Sequence, residues 1–235
     1  SVLNIGTGYG ITAGAFTQFE EVKQLQTIEI LPFILDLQPQ FAAHNFRYYQ
    51  DSRVKLTRGD GRHVLIRENK TYDIISVNLL DPYLPLSSSL YTVEFWKQAK
   101  RKLNPGGVYS QLIWSLDLPL LLHGLKSVFP TVLYFPAYGN SINIIAFAEE
   151  NGRPAPDWNK LKPPIQQAFA RFGVNDAKAY IQIAMDYSHL LQDKFQTALQ
   201  AAPPPILHSD NFPLMEYKWF HGYKNLSIFD SSMAE

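Results

Sequence analysis

The sequence has 235 residues, 46% of them hydrophobic, with 21 Lys and Arg balanced by 21 Asp and Glu and no cysteine. That length and apolar share allow one large α/β domain, or one domain with an appendage. Balanced charge argues against a groove for nucleic acid, and the lack of cysteine excludes disulfides, thiolate nucleophiles and Cys-ligated zinc.

Short apolar runs and amphipathic stretches alternate through the first 150 residues. Val2 to Ile5 reads as a first strand, a glycine loop follows, and Ile11 to Phe19 reads as a helix. Thr27 to Ile30 is a second strand, after which Pro32 suits the first turn of a helix running to about Asn45. Val54 to Thr57 and Tyr72 to Val77 are the third and fourth strands. Tyr91 to Leu103 reads as a helix stopped by Asn104-Pro105-Gly106-Gly107, and Val108 to Trp114 as a fifth strand. Leu116 to Phe129 is helical, and Thr131 to Phe135 with Ile142 to Phe147 close the set. The alternation predicts a Rossmann-like α/β fold: a seven-stranded, mostly parallel sheet with helices on both faces. Residues 1–150 form the expected nucleoside-binding domain. Beyond a linker at 151–156, two helices (Asp157 to Phe172 and Asp176 to Ala201) make residues 151–235 a C-terminal helical extension. The second helix gathers Ala179, Ile183, Tyr187, Leu190 and Leu191 on one face.

No apolar run reaches the roughly 18 residues of a membrane span, so membrane contact is not expected of this stretch, and a cytoplasmic setting is. The chain opens directly on a buried-type strand, which reads as a piece of a longer protein whose preceding region could be soluble or membrane-embedded.

The chemistry-bearing residues fall at strand ends. Gly6-Thr7-Gly8-Tyr9-Gly10 turns the first strand into a helix, where glycines permit positive φ and close approach of a ligand. Glu29 ends the second strand, where an acid accepts hydrogen bonds from ribose hydroxyls. The G-x-G-x-G spacing departs from the dinucleotide G-x-G-x-x-G and favours a nucleoside without a pyrophosphate. Asp60 and Gly61, in Gly59-Asp60-Gly61-Arg62, follow the third strand, and an acid there can accept from an adenine amino group. Asn78 and Asp81, in Asn78-Leu79-Leu80-Asp81-Pro82, follow the fourth. Open α/β sheets bind ligands at these carboxyl ends. Tyr83, Tyr91 and Trp114 are candidates for an acceptor pocket, with the core as the plainer role. Ser87-Ser88-Ser89 reads as a loop, either a gate or plain surface. The six histidines show no metal-ligand spacing, and no metal is expected.

These residues, with Leu90-Tyr91-Thr92-Val93-Glu94-Phe95, Leu103-Asn104-Pro105-Gly106-Gly107-Val108 and Gln111, resemble the spermidine synthase family within the class I S-adenosylmethionine-dependent methyltransferase fold. The similarity covers about Ser1 to Glu149, and Ser209 to Tyr217 is similar to a Thr-Asp-Asp-x-Pro-x-x-Glu segment of bacterial members. It implies binding of decarboxylated S-adenosylmethionine by Gly6, Gly8, Tyr9, Gly10, Glu29, Asp60, Gly61 and Asn78. It implies a polyamine acceptor near Asp81, Tyr83 and Tyr91, with Asn78 and Asp81 at the catalytic positions and a homodimer as one assembly. Two positions depart from the pattern. The acid of the family's glycine loop is Tyr9 here, and the acid assigned as base is Asn78. Asn cannot serve as a general base near neutral pH. Aminopropyl transfer is therefore weighed against a methyltransferase using S-adenosylmethionine itself, and against a non-catalytic nucleoside-binding module.

Overall fold

The computed structural model describes residues 1–78, 81–114, 118–137, 141–150, 157–171, 173–201 and 207–211. The strands are β1 (Val2–Ile5), β2 (Leu25–Glu29), β3 (Val54–Arg58), β4 (Tyr72–Val77), β5 (Leu103–Trp114), β6 (Thr131–Pro136) and β7 (Ser141–Phe147). The helices are α1 (Ile11–Thr17), α2 (Pro32–Asp36), α3 (Gly61–Arg67), α4 (Pro85–Ser88), α5 (Val93–Arg101), α6 (Leu118–Lys126), α7 (Pro163–Arg171) and α8 (Ala177–Ala201). They build the seven-stranded sheet that the alternation predicts, in the order β3-β2-β1-β4-β5-β7-β6. Strands β1 to β5 pair in parallel, while β7 runs antiparallel to both β5 and β6.

Successive side chains on a strand face opposite sides of a sheet. On β1, Leu3 and Ile5 accordingly enter one core cluster and Val2 a second. The larger cluster takes Phe95, Trp96 and Ala99 from α5 and Leu121, Leu122 and Leu125 from α6. The smaller takes Ala13 from α1 with Val22, Leu25 and Tyr48. Between Leu3 and Ile5 stands Asn4, a fully buried amide in a central strand.

Several element boundaries differ from the expected ones for identifiable reasons. The helix expected to reach Asn45 ends at Asp36 and gives way to a 3-10 turn, Gln38–Phe41, because Pro39 has no N–H to continue the ladder. Helix α5 starts later than expected, at Val93, because Thr92 caps it by accepting a hydrogen bond from Phe95 N at 3.2 Å. Strand β5 begins at Leu103, with a register irregularity opposite Tyr72–Ile74 that absorbs the Pro-Gly-Gly segment. On α8 the apolar face read from the sequence is corrected. Ile183, Tyr187 and Leu190 are exposed, and the buried positions are Ala177, Ser188, Leu191 and Phe195. That second stripe, at helical spacing, faces β6, where Phe195 meets the Tyr134 ring edge-on with centroids 5.1 Å apart. The 151–156 linker lies outside the described residues. Among the described residues no helix is long and apolar enough to cross a membrane.

Candidate active site

The sheet order reverses between β1 and its two neighbours, β2 and β4, which places a crevice at the carboxyl ends of these strands. A shallow cleft opens there, lined by Ile5, Gly6, Ile28, Glu29, Ile30, Gly59, Asp60, Gly61, Leu86 and Leu90. Three strand ends thus supply its polar groups and apolar residues supply its walls.

Glu29 is 8% exposed and works inward. Its Oε2 accepts N–H bonds from Thr7 at 3.0 Å and Gly8 at 3.3 Å, and its Oε1 accepts from Leu31 N at 3.1 Å. A carboxylate offers about four acceptor positions, so about one remains, on Oε1, for a ligand hydroxyl. The loop it holds is tied down on its other side as well. Gln38 Nε2 donates to Gly8 O at 2.8 Å, Asn45 Nδ2 donates to Tyr9 O at 3.3 Å, and Gly10 N donates to Thr7 O at 2.9 Å. Gly6, Gly8 and Gly10 all take positive φ, of 84°, 51° and 81°. Gln38 and Asn45 are fully buried, and the sequence reading passed over both.

Asp60 is the N-cap of α3, its Oδ1 accepting from Arg62 N at 2.8 Å and His63 N at 3.2 Å. Capping fixes the carboxylate at the cleft wall, with Oδ2 3.7 Å from His63 Nδ1. Gly61 packs so closely on Ile5 that a Cβ would overlap that side chain. The structure therefore brings Gly6, Glu29, Asp60 and Gly61 around one cleft.

Asn78 sits beside it, its backbone N donating to Ile5 O at 2.9 Å. Its Nδ2 donates to Asn4 Oδ1 at 2.7 Å and Ser76 Oγ at 3.1 Å. Asp81 Oδ1 accepts from Tyr83 N at 2.8 Å, and Ser87 Oγ donates to Asp81 O. Tyr9 is 63% exposed, with its ring against Phe41 at 4.5 Å.

Tyr83 and Tyr91 are not brought to an open surface. Both belong to the buried core, and Tyr91 OH donates to Leu112 O at 3.3 Å. Burial, then the nearby Asp81 charge, pushes the Tyr91 phenol well up. Ser87 and Ser88 are buried within α4, so the expected serine loop is a packed corner. Gln111 is a buried hub, its Oε1 accepting from Trp96 Nε1 at 3.0 Å and Tyr109 OH at 2.8 Å. The Trp114 side chain lies outside what the structure describes, as does Glu216.

One contact crosses the chain. Arg62 Nη1 donates to Asp210 Oδ1 at 2.8 Å and to Ser89 O at 2.8 Å, and Nη2 pairs with Asp210 Oδ2. Asp210 N donates to Glu94 Oε2 at 3.0 Å, and buried His208 lies against Ser88. Segment 207–211 is thereby strapped across α3, α4 and α5.

The spermine/spermidine synthase domain profile matches residues 1–119 of this chain. The chain belongs to the spermine/spermidine synthase family. It is 35% identical over 109 residues to polyamine aminopropyltransferases of Escherichia coli O1:K1 / APEC and Shigella sonnei (strain Ss046). That match takes in 46% of this chain and 38% of each relative, so the aligned stretch spans well under half the length of the relatives. Among solved structures, a spermidine synthase in complex with the transition state analogue AdoDATO superposes with a TM-score of 0.59 at 15% identity, covering 79% of this chain and 69% of that one. Human methyltransferase-like protein 13 in complex with SAH superposes with a TM-score of 0.56 at 23% identity, covering 73% and 81%. These two likenesses show the shared Rossmann-like fold.

Proposed function

We propose that this spermidine-synthase-like chain binds decarboxylated S-adenosylmethionine in the cleft at the ends of β1, β2 and β3 and transfers its aminopropyl group to a polyamine. The observation that carries the reading is the convergence of Gly6, Glu29, Asp60 and Gly61 on that one cleft. The remaining acceptor position of Glu29 suits a ribose hydroxyl, Asp60 suits the adenine amino group, and Ile5, Ile30 and Leu86 suit the faces of the base.

In the reaction the amine nitrogen attacks the carbon beside the sulfonium. The carbon–sulfur bond breaks with its electrons passing to sulfur, which leaves methylthioadenosine, and the new secondary ammonium loses one proton. Asp81 is the acid placed to hold the amine and take that proton, since its Oδ2 makes no hydrogen bond among the described residues. The test is incubation with labelled decarboxylated nucleoside and a panel of polyamines. Labelled product supports the reading, and no product with any amine overturns it.

One observation favours a second reading. Neither Tyr9 nor Asn78 carries an acid, so selection against the carboxylate of intact S-adenosylmethionine is weaker than in a site with two acids. A methyltransferase using the intact nucleoside fits that difference. Calorimetry with both nucleosides separates the two, because clear preference for the decarboxylated form excludes the methyltransferase. A homodimer and a cytoplasmic setting complete the proposal; sedimentation of the purified chain and localisation of the tagged full-length protein test them.

A further inference from the structure

Amide side chains can face either way, but here one group sets the direction. Asn4 Nδ2 lies 3.4 Å from Gly6 O and 2.9 Å from Thr27 Oγ1. A backbone carbonyl can only accept, so Asn4 must turn its nitrogen toward Gly6 and its oxygen toward Asn78. Asn78 must then turn its nitrogen inward, and it does, using Nδ2 on Asn4 Oδ1 and Ser76 Oγ. Asn4 is fully buried, as is Thr27, whose Oγ1 continues the chain to Thr7 Oγ1 at 2.8 Å, while Asn78 is partly exposed. What Asn78 leaves for a ligand is its carbonyl oxygen.

We propose that Asn4 is a positioning and specificity-determining residue that locks Asn78 as a hydrogen-bond acceptor, so that this corner of the site recognises an N–H donor of the ligand without removing its proton. The donor is either the second N–H of the adenine amino group, beside the one that Asp60 accepts, or the amine of the second substrate. The same polarity disfavours a carboxylate at position 78, whose oxygens would face Asn4 Oδ1 with no hydrogen between them. This rests on the nucleoside reading above, but the lock itself can be tested without a ligand.

Four proteins decide it: wild type, Asn4→Leu, Asn78→Asp and the double variant. Leu removes the lock at similar volume. A carboxylate needs none, because its two oxygens are equivalent. Calorimetry compares methylthioadenosine with methylthioinosine, which lacks the amino group. Wild type is expected to prefer the adenosine form by about tenfold or more. The preference should fall to the share that Asp60 supplies in Asn4→Leu, stay impaired in Asn78→Asp and return in the double variant, with cooperative melting throughout. In a second arm putrescine is titrated onto each methylthioadenosine complex. The same pattern of loss and rescue there, with the nucleoside preference unmoved, assigns the donor to the amine. If the nucleosides bind and neither arm follows the pattern, the proposal is overturned, because a merely structural role for Asn4 gives no rescue. Hydrogen exchange of the Asn78 side-chain amide, followed by NMR in the wild type, stands apart from binding. Slow exchange supports the lock, and exchange as fast as a free amide overturns it. Protected Asn78 amides in a protein that binds neither nucleoside would sink the nucleoside reading and leave the lock standing.

Discussion

Arg62 and Asp210, 148 residues apart in the chain, form a two-pronged ion pair at the first turn of α3. The same guanidinium donates to Ser89 O, so one side chain ties the Asp60 cap, the α4 corner and segment 207–211 together. Replacing it by Met should lower stability by about 2 kcal/mol, as expected for a hydrogen-bonded charge left without its partner. Thermal melting and limited proteolysis near residue 207 check this.

The pair also gives a pH signature. Partial burial would raise the Asp210 carboxyl, but hydrogen bonds from Arg62 and Thr92, with the charges of Arg62 and His208, outweigh it and hold the group below its ordinary 3.8. A depressed carboxylate stabilises the fold fully above its unfolded value and loses that contribution as pH falls through the folded value. The gap in melting temperature between wild type and Asp210→Asn should therefore be widest near neutral pH and shrink as pH falls below about 4.

Glu29→Gln tests the loop. Glutamine has one acceptor oxygen where three N–H groups now point, so its own NH2 would meet a backbone donor. The expected result is a loss of about 1–3 kcal/mol in stability and a larger loss of nucleoside affinity, read by melting and calorimetry.

The glycines separate conformational from steric demands. Gly8→Ala meets nothing within 4 Å and bears only the left-handed penalty, about 1–2 kcal/mol. Gly10→Ala bears that penalty and also overlaps Gln38 and Tyr48, so it should cost more. Denaturant melts of the two variants should rank them in that order.

Tyr9→Asp should be tolerated, because Tyr9 is 63% exposed and leaves only the Phe41 contact behind. With an acid at that position, affinity for decarboxylated over intact S-adenosylmethionine should rise by about tenfold, since a carboxylate attracts the ammonium and repels the extra carboxylate. Competition binding with the two nucleosides measures it.

The strand count, the parallel core and the placement of Glu29 and Asp60 at strand ends were legible because each rests on local signals: apolar runs, glycine punctuation and an acid at a strand end. What stayed hidden depends on contacts far apart in sequence. Nothing near Gln38 announces that it reaches back to Gly8, and nothing near Arg62 announces Asp210. The apolar face of α8 was misread because that helix carries two apolar stripes, and only the position of β6 decides which is covered. Tyr83 and Tyr91 were read as pocket candidates because an aromatic beside a strand end suits a pocket wall or a core equally well.

The glycine loop is bonded by its own protein at Thr7, Gly8, Tyr9 and Gly10, through Glu29, Gln38 and Asn45. Its shape is settled during folding, and little ordering is left for the moment of encounter. Association should then be a single step whose observed rate rises linearly with nucleoside concentration, with no plateau from a slow loop rearrangement. Differences in affinity among ligands would reside in how fast they leave.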